Sequence, residues 1–203
     1  MIPGAALILV LVASVVPAFF VLMWLVGGYN RLAALRNRYK TSYAQIEVQL
    51  KRRNDLIPNL VETARGYLKQ ELGTLEAVVA ARNAALAANT RAAQSPGDAS
   101  AMKELSGAET ALAGTLGRLF AAAEACPDLK ANTTMLSLTE DLTSTEKQIA
   151  LGRQAYNDAV MGYNTVRETF PTNMIAGPFS FGPAELFVVE KVQEKRPAKL
   201  SDS

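Results

Sequence analysis

The sequence predicts an all-α membrane protein: an N-terminal transmembrane helix followed by an antiparallel, up-and-down bundle of long helices. Three observations predict this fold. The chain opens with twenty-two residues, Ala5 to Val26, that include no charged side chain and no Asn, Gln or His. Apolar residues then recur at steps of three and four up to Phe170, which is the spacing of one helix face. Glycine is scarce between Tyr29 and Gly177.

The apolar run is long enough to be a membrane anchor. At about 1.5 Å per residue it measures about 33 Å, and a hydrocarbon core is about 30 Å thick. A signal peptide would have a basic start, a shorter apolar core and a small-residue cleavage site. No Lys or Arg precedes Ala5, and Phe19 to Trp24 occupies the place of that site. We therefore expect residues 1–28 to be a short tail and a retained single-pass anchor.

The charge after the anchor predicts its orientation. Seven Lys and Arg residues and only two acidic residues lie between Tyr29 and Asp55. Because positively charged flanks are retained in the cytoplasm, we expect the N-terminus outside a bacterial inner membrane and the helical body in the cytoplasm. The cations nearest the anchor form a predicted basic collar: Arg31, Arg36, Arg38 and Lys40.

Prolines and capping residues divide the body, residues 29–173, into helices. The expected boundaries are a Pro96-Gly97 turn with an N-cap at Asp98 or Ser100, a stop at Pro127, an N-cap at Asn132 or Thr133, and a stop at Pro171. The segment from Asn54 to Pro58 leaves two readings open. Pro58 either lies in the first turn of a new helix that continues to Asn89, or kinks one continuous helix.

These readings give two architectures. A four-helix bundle is favoured. The alternative is a long, coiled-coil-like hairpin, which needs self-association because two helices bury only a narrow seam. Both return Phe170 to the membrane side, so the apolar segment 174–189 is expected near the bundle end or the bilayer. The last segment, 190–203, is charged with mixed sign, and we expect it to be disordered.

Two Tyr-Asn pairs repeat at a spacing of seven residues and share one helix face. With two further polar residues they form a predicted polar ladder in the bundle: Asn59, Arg153, Tyr156, Asn157, Tyr163 and Asn164. Buried amides at such positions fix the register of helix pairing. A ligand pocket is the alternative function for the same residues.

The composition disfavours an enzyme. The chain has no histidine, which excludes Ser-His and Cys-His pairs and the Glu-x-x-His ligands of di-iron bundles, and it has no glycine-rich phosphate loop. Carboxylates such as Glu104, Glu109 and Glu146 are expected on solvated helix flanks. We predict no catalytic residue, no cofactor and no metal, and the absence of a recognition motif disfavours nucleic acid as a partner.

Three stretches carry strings typical of a known family. They are Leu35 to Arg82 with QLKRRNDLIPNLVE, Cys126 to Leu142, and Thr145 to Phe181 with YNDAVMGYN. In them the chain closely resembles the LemA family, although that family tends to have aromatic residues where Cys126 and Met135 stand and Trp in place of Tyr43. The resemblance implies a membrane-anchored helical bundle without a settled activity, with a suggested tie to membrane protein quality control.

The predicted function is a structural or interaction scaffold at the membrane. Alanine-rich stretches at 77–88 and 121–125 allow close helix approach, so we expect self-association, together with a membrane-protein partner. The alternative is a lipid-responsive module that binds anionic or curved membrane through the basic collar and Met174 to Phe181. Membrane lipids are partners in both hypotheses.

Overall fold

The computed structural model of the protein describes the backbone of residues 4–189 and the side chains of residues 13–189. The elements in that part of the chain are α1 (Gly4–Arg65), α2 (Leu72–Gln94), α3 (Ala99–Glu124), α4 (Pro127–Lys130), α5 (Thr133–Glu168) and α6 (Asn173–Ala176). Residues 177–189 follow without regular structure. The all-α prediction is confirmed. The first three residues and the predicted disordered tail, 190–203, lie outside the described residues.

The four long helices form an antiparallel bundle. α1 packs along α5, α2 packs along α3, and α2 also contacts α1. The favoured four-helix architecture is therefore formed. The long hairpin, in which residues 29–89 would be a single helix, is not formed, because the chain reverses direction between Arg65 and Leu72.

The first helix runs through Pro58 without a break. A proline inside a helix has no N–H, so the carbonyl four residues earlier loses its donor. Here that carbonyl belongs to Asn54, and it accepts a hydrogen bond of 3.1 Å from Nε of Arg82 on α2. The helix is thus continuous because a neighbouring helix supplies the missing donor.

The break occurs further along, at residues 66–71, and the expectation of one helix from Pro58 to Asn89 is wrong. Gly66, a poor helix former, follows the last residue of α1. The amides of Tyr67 and Leu68 both donate to the carbonyl of Ala64, which closes a tight turn. Leu68 is buried in the core, so the turn gains apolar burial that a straight helix would not offer.

Two of the predicted N-caps are confirmed. The carboxylate of Asp98 accepts a hydrogen bond of 2.9 Å from the amide of Ala101 at the start of α3. The side chain of Asn132 accepts one of 3.0 Å from the amide of Met135 at the start of α5. Each cap satisfies an amide that has no partner within its own helix.

The core consists of two apolar clusters with a polar layer between them. The membrane-side cluster includes Leu32, Ile46, Leu50, Met102, Leu105, Ile149, Val160, Ile175, Phe181 and Phe187. The distal cluster includes Ile57, Leu60, Leu75, Val78, Leu112, Leu119, Leu129, Leu138 and Leu142. The bundle can bury both clusters because every long helix contributes one apolar face.

The polar layer ties three helices together through Arg53 of α1. Its guanidinium donates to Glu109 of α3 and, at 2.9 Å, to Glu146 of α5. Burial opposes the charge on Arg53, but the two carboxylates raise its pKa; burial also raises the pKa of Glu109, against the pull of Arg53. Glu109 is almost fully buried, so the prediction that it lies on a solvated flank is wrong.

The membrane-side end is closed by chain that follows α5. After a turn at residues 169–172, α6 packs against α1 and α5. Ile175 occupies the space that a Cβ atom at Gly28 would need, so glycine there permits the close approach. The predicted apolar segment 174–189 begins at this contact and then runs along α5. Of the residues searched, α1 is the one helix long and apolar enough to cross a membrane.

We predict that the Arg82 bond stabilises α1 only because residue 58 is proline. Replacing Arg82 with Met should lower the free energy of unfolding by about 1–3 kcal/mol, because a buried carbonyl loses its donor. In a Pro58→Ala background the amide of residue 58 supplies the bond, so the same change should have a smaller effect. The measurement is urea unfolding of the full chain in detergent micelles, followed by circular dichroism.

The control for the Arg82→Met measurements, with and without Pro58, is Arg118→Met at an exposed position of α3. It should change the unfolding free energy little in either background. An equal loss from Arg82→Met with and without Pro58 would contradict the role assigned to this bond.

Candidate functional site

The two Tyr-Asn pairs of α5 bind the C-terminal part of the chain rather than another helix. We call residues 181–187 the C-terminal strap. It runs antiparallel to α5, and Phe181, Ala184 and Phe187 bury their side chains in the membrane-side cluster. Their spacing of three residues means that one side of the strap faces the bundle. The strap therefore completes the core on the membrane side.

Each asparagine holds one strap residue through both its backbone groups. Asn157 donates to the carbonyl of Phe187 at 3.1 Å and accepts from the amide of Phe187 at 2.9 Å. Asn164 does the same with Ala184, at 2.8 Å and 3.0 Å. Two parallel hydrogen bonds fix the direction and the position of the strap at each of these points.

Each tyrosine adds one hydrogen bond, to the strap carbonyl two residues before the strap residue that the adjacent asparagine holds. The hydroxyl of Tyr156 donates to the carbonyl of Glu185 at 2.7 Å, and that of Tyr163 donates to the carbonyl of Gly182 at 2.8 Å. Seven residues of α-helix rise about 10.5 Å, and three residues of extended chain span about 10 Å. The heptad spacing on α5 therefore matches the step between Ala184 and Phe187.

A buried cluster of tyrosines lies beneath the strap. The rings of Tyr39 and Tyr163 are 5.3 Å apart, and those of Tyr43 and Tyr156 are 5.8 Å apart, in edge-to-face arrangements. Burial raises the pKa of each of these four phenols. The hydroxyls therefore keep their protons at neutral pH, and that of Tyr43 donates to the side-chain oxygen of Asn89 at 2.9 Å.

The turn between α2 and α3 contacts the strap on the side away from α5. The amide of Glu185 donates to the carbonyl of Gly97 at 2.9 Å. Gly97 has a φ angle of 89°, and a Cβ atom there would lie 3.0 Å from Tyr39 and 3.1 Å from Ala184. Glycine is required both by this backbone conformation and by the close approach.

The remaining predicted ladder residues lie apart from the strap. Asn59 is exposed on α1, and its carbonyl accepts a hydrogen bond from Thr63. Arg153 is half-buried on α5, and within residues 13–189 it makes no hydrogen bond to the strap. The structure thus brings together Tyr156, Asn157, Tyr163 and Asn164 and adds Gly97, which the sequence predicted only as a turn residue.

The basic collar divides into two pairs on different faces of α1. All four side chains are exposed. Arg36 and Lys40 face the α2–α3 turn and the strap across a small cleft, and the guanidinium of Arg36 lies 6.0 Å from the ring centroid of Phe181. Arg31 and Arg38 are seven residues apart and share another face. The collar is therefore partly used to cover the strap.

An open apolar groove continues beyond the strap between α3 and α5. It encloses about 370 Å³ and is lined by Leu116, Phe120 and Leu142 together with small residues. Glu146 is the one carboxylate in this lining, and it is paired with Arg53. Such a surface can bind apolar side chains.

We predict that loss of Asn164 loosens the strap locally. Asn164→Ala removes two hydrogen bonds of about 1 kcal/mol each, so exchange of the Ala184 amide should become about 30-fold faster. Asn37→Ala, at an exposed position of α1, is the matched control and should leave that amide unchanged. The measurement is hydrogen–deuterium exchange of the full chain, and unchanged exchange in Asn164→Ala would contradict the assigned contact.

Comparison with known proteins places the bundle and the strap in one family. The chain is 26% identical over 200 residues to the magnetosome protein MamQ 2 of Paramagnetospirillum magneticum, covering 91% of this chain and 72% of that protein. It is 24% identical over 194 residues to the magnetosome protein MamQ of Magnetospirillum gryphiswaldense, covering 88% and 71%. The LemA family model matches residues 42–201. The chain belongs to the LemA family.

Proposed function

We propose that the protein is a membrane-anchored scaffold that holds a rigid helical bundle at the cytoplasmic face of a bacterial inner membrane and there associates with further copies of itself and with a membrane-protein partner. The observation that carries the proposal is the continuity of α1 from the apolar span to Arg65. A continuous helix transmits position and orientation, whereas a flexible linker would not. Participation in membrane protein quality control is compatible with this scaffold function.

The proposed orientation of the protein in the membrane is based on the basic collar. Cations just after a span favour retention of that flank in the cytoplasm, and Arg31, Arg36, Arg38 and Lys40 all follow Val26 within about 21 Å along the helix. Lipid binding by the collar is less favoured. Only Arg31, about 8 Å beyond Val26, lies within about one Debye length of the end of the span.

The outer face of α2 is the surface that best supports self-association. Its exposed positions between Val79 and Thr90 carry no charge and include Ala80, Ala84 and Ala87. These three alanines follow one another at steps of four and three residues, so they form a narrow stripe on one face. Small side chains allow a second helix to approach closely, and an uncharged exposed face has little desolvation cost.

The names of the two relatives associate them with magnetosomes. For this chain, the recurrence of the same helical body in such proteins supports a structural role at a cellular structure rather than a dedicated reaction. A scaffold of this kind needs surfaces and a fixed orientation, and both are features of the bundle described above.

We predict that two copies meet through α2. With Cys126 replaced by Ser, Ala84→Cys should give covalent dimers with a short bis-maleimide in membrane vesicles, because the small stripe brings the two thiols together. Leu151→Cys, at an exposed position of α5, is the matched control and should give far less dimer. Equal yields at both positions, or no dimer at position 84, would contradict association through α2.

A further inference from the structure

The chain between α5 and the strap forms a compact foot beside the end of the membrane span. We define the foot as residues 169–180, which include α6. It packs on α1 where Ile175 meets Gly28, and the ring of Phe179 lies 5.3 Å from that of Tyr29 in an edge-to-face contact. Gly28 follows Val26, the last residue of the apolar run, by two residues.

The position of Gly28 on α1 gives the height of the foot. Two residues of helix rise about 3 Å, and the headgroup region on each side of a bilayer is about 5–8 Å thick. With Ala5 to Val26 in the hydrocarbon core, the contact between Gly28 and Ile175 therefore lies inside the headgroup region. The foot cannot be far from lipid, because it touches the anchor itself.

The foot exposes large apolar side chains at this height. Phe170 is 74% exposed, Met174 is 62% exposed and Phe179 is 50% exposed, while neighbouring Ile175 is buried. The surrounding chain is also uncharged, since residues 169–184 include no Asp, Glu, Lys or Arg. Loops that face water are usually polar, and clustered apolar exposure marks a contact surface. Here the exposed residues continue the apolar surface of the span.

We propose that the foot inserts Phe170, Met174 and Phe179 into the interfacial layer of the bilayer beside the anchor. Aromatic side chains favour that layer, and an apolar face next to a span gains by entering the boundary between headgroups and acyl chains. A single span leaves the bundle free to rotate about its axis and to tilt. Attachment at a second point fixes both, so the foot sets which face of the bundle is turned towards the membrane.

This inference rests on the proposed membrane placement of α1, and the experiment separates the two. The full chain is reconstituted into vesicles of phosphatidylcholine and phosphatidylglycerol, with and without lipids brominated near the headgroups. Trp24, the one tryptophan of the chain, reports on the anchor. In a Trp24→Phe background, Phe179→Trp reports on the foot, and Leu151→Trp on α5 is the matched exposed control.

We expect the tryptophan at position 179 to emit at short wavelength and to lose about half of its intensity to the brominated lipids, since it lies at the headgroup–acyl boundary. The tryptophan at position 151 should emit as in water and remain unquenched. Quenching of Trp24 without quenching at position 179 would contradict insertion of the foot but would leave the membrane placement of the anchor supported. The absence of quenching at both positions would overturn the membrane placement.

Two further results are decisive. Emission at short wavelength without quenching at position 179 would mean that protein, such as a second copy, covers the foot, and it would also overturn the inference. If Phe179→Trp disturbs the fold, as judged by circular dichroism, Met174→Trp is read in its place with the same expectation. Its side chain is more exposed, so the substitution demands less of the surrounding packing.

Discussion

The structure depends on one continuous helix that is both the candidate membrane span and an element of the bundle. α1 runs from Gly4 to Arg65 without a linker between the apolar run and the bundle core. The weak point of such a helix is Pro58, and the guanidinium of Arg82 satisfies the carbonyl that the proline leaves without a donor. At the other end, Gly28 lets Ile175 approach closely and brace the helix. The axis of α1 in the bundle is therefore a direct continuation of the apolar run.

The strap gives the membrane-side half of the bundle a fifth element. Hydrogen bonds from α5 hold its backbone at four positions, and Phe181, Ala184 and Phe187 fill space between the helices. In the distal half, no extended segment of the described residues fills the bundle in this way, and α3 and α5 leave an open apolar groove there. The polar layer around Arg53 lies between these halves and links α1, α3 and α5 at that level.

Sequence patterns predicted what depends on neighbours along the chain. The apolar stripes at steps of three and four residues and the caps at Asp98 and Asn132 are local features, and they are found; α1 is also long and apolar enough for the predicted span. A continuous helix through Pro58 was one of the two open readings, and the sequence could not decide between them because Arg82 lies 28 residues from the carbonyl it serves. The burial of Glu109 was missed for the same reason: its partner, Arg53, is 56 residues away.

The Tyr-Asn repeat was recognised as one face, but its partner could not be read from the pattern. A buried asparagine offers the same donor and acceptor to a facing helix and to an extended chain. The short step between Ala184 and Phe187 carries no periodic signal of its own. Only the tertiary structure shows that the amides of Asn157 and Asn164 bind backbone, which makes these contacts independent of most strap side chains.

The central claim is that α1 joins the membrane and the bundle as one rigid rod. It is tested most directly by pulsed electron paramagnetic resonance between spin labels at Phe20, in the span, and Val48, in the bundle, with the full chain in lipid nanodiscs. Both side chains are exposed. A single narrow distribution centred at about 42 Å is predicted, which is the length of a straight helix over that separation. A broad or two-peaked distribution would contradict the claim.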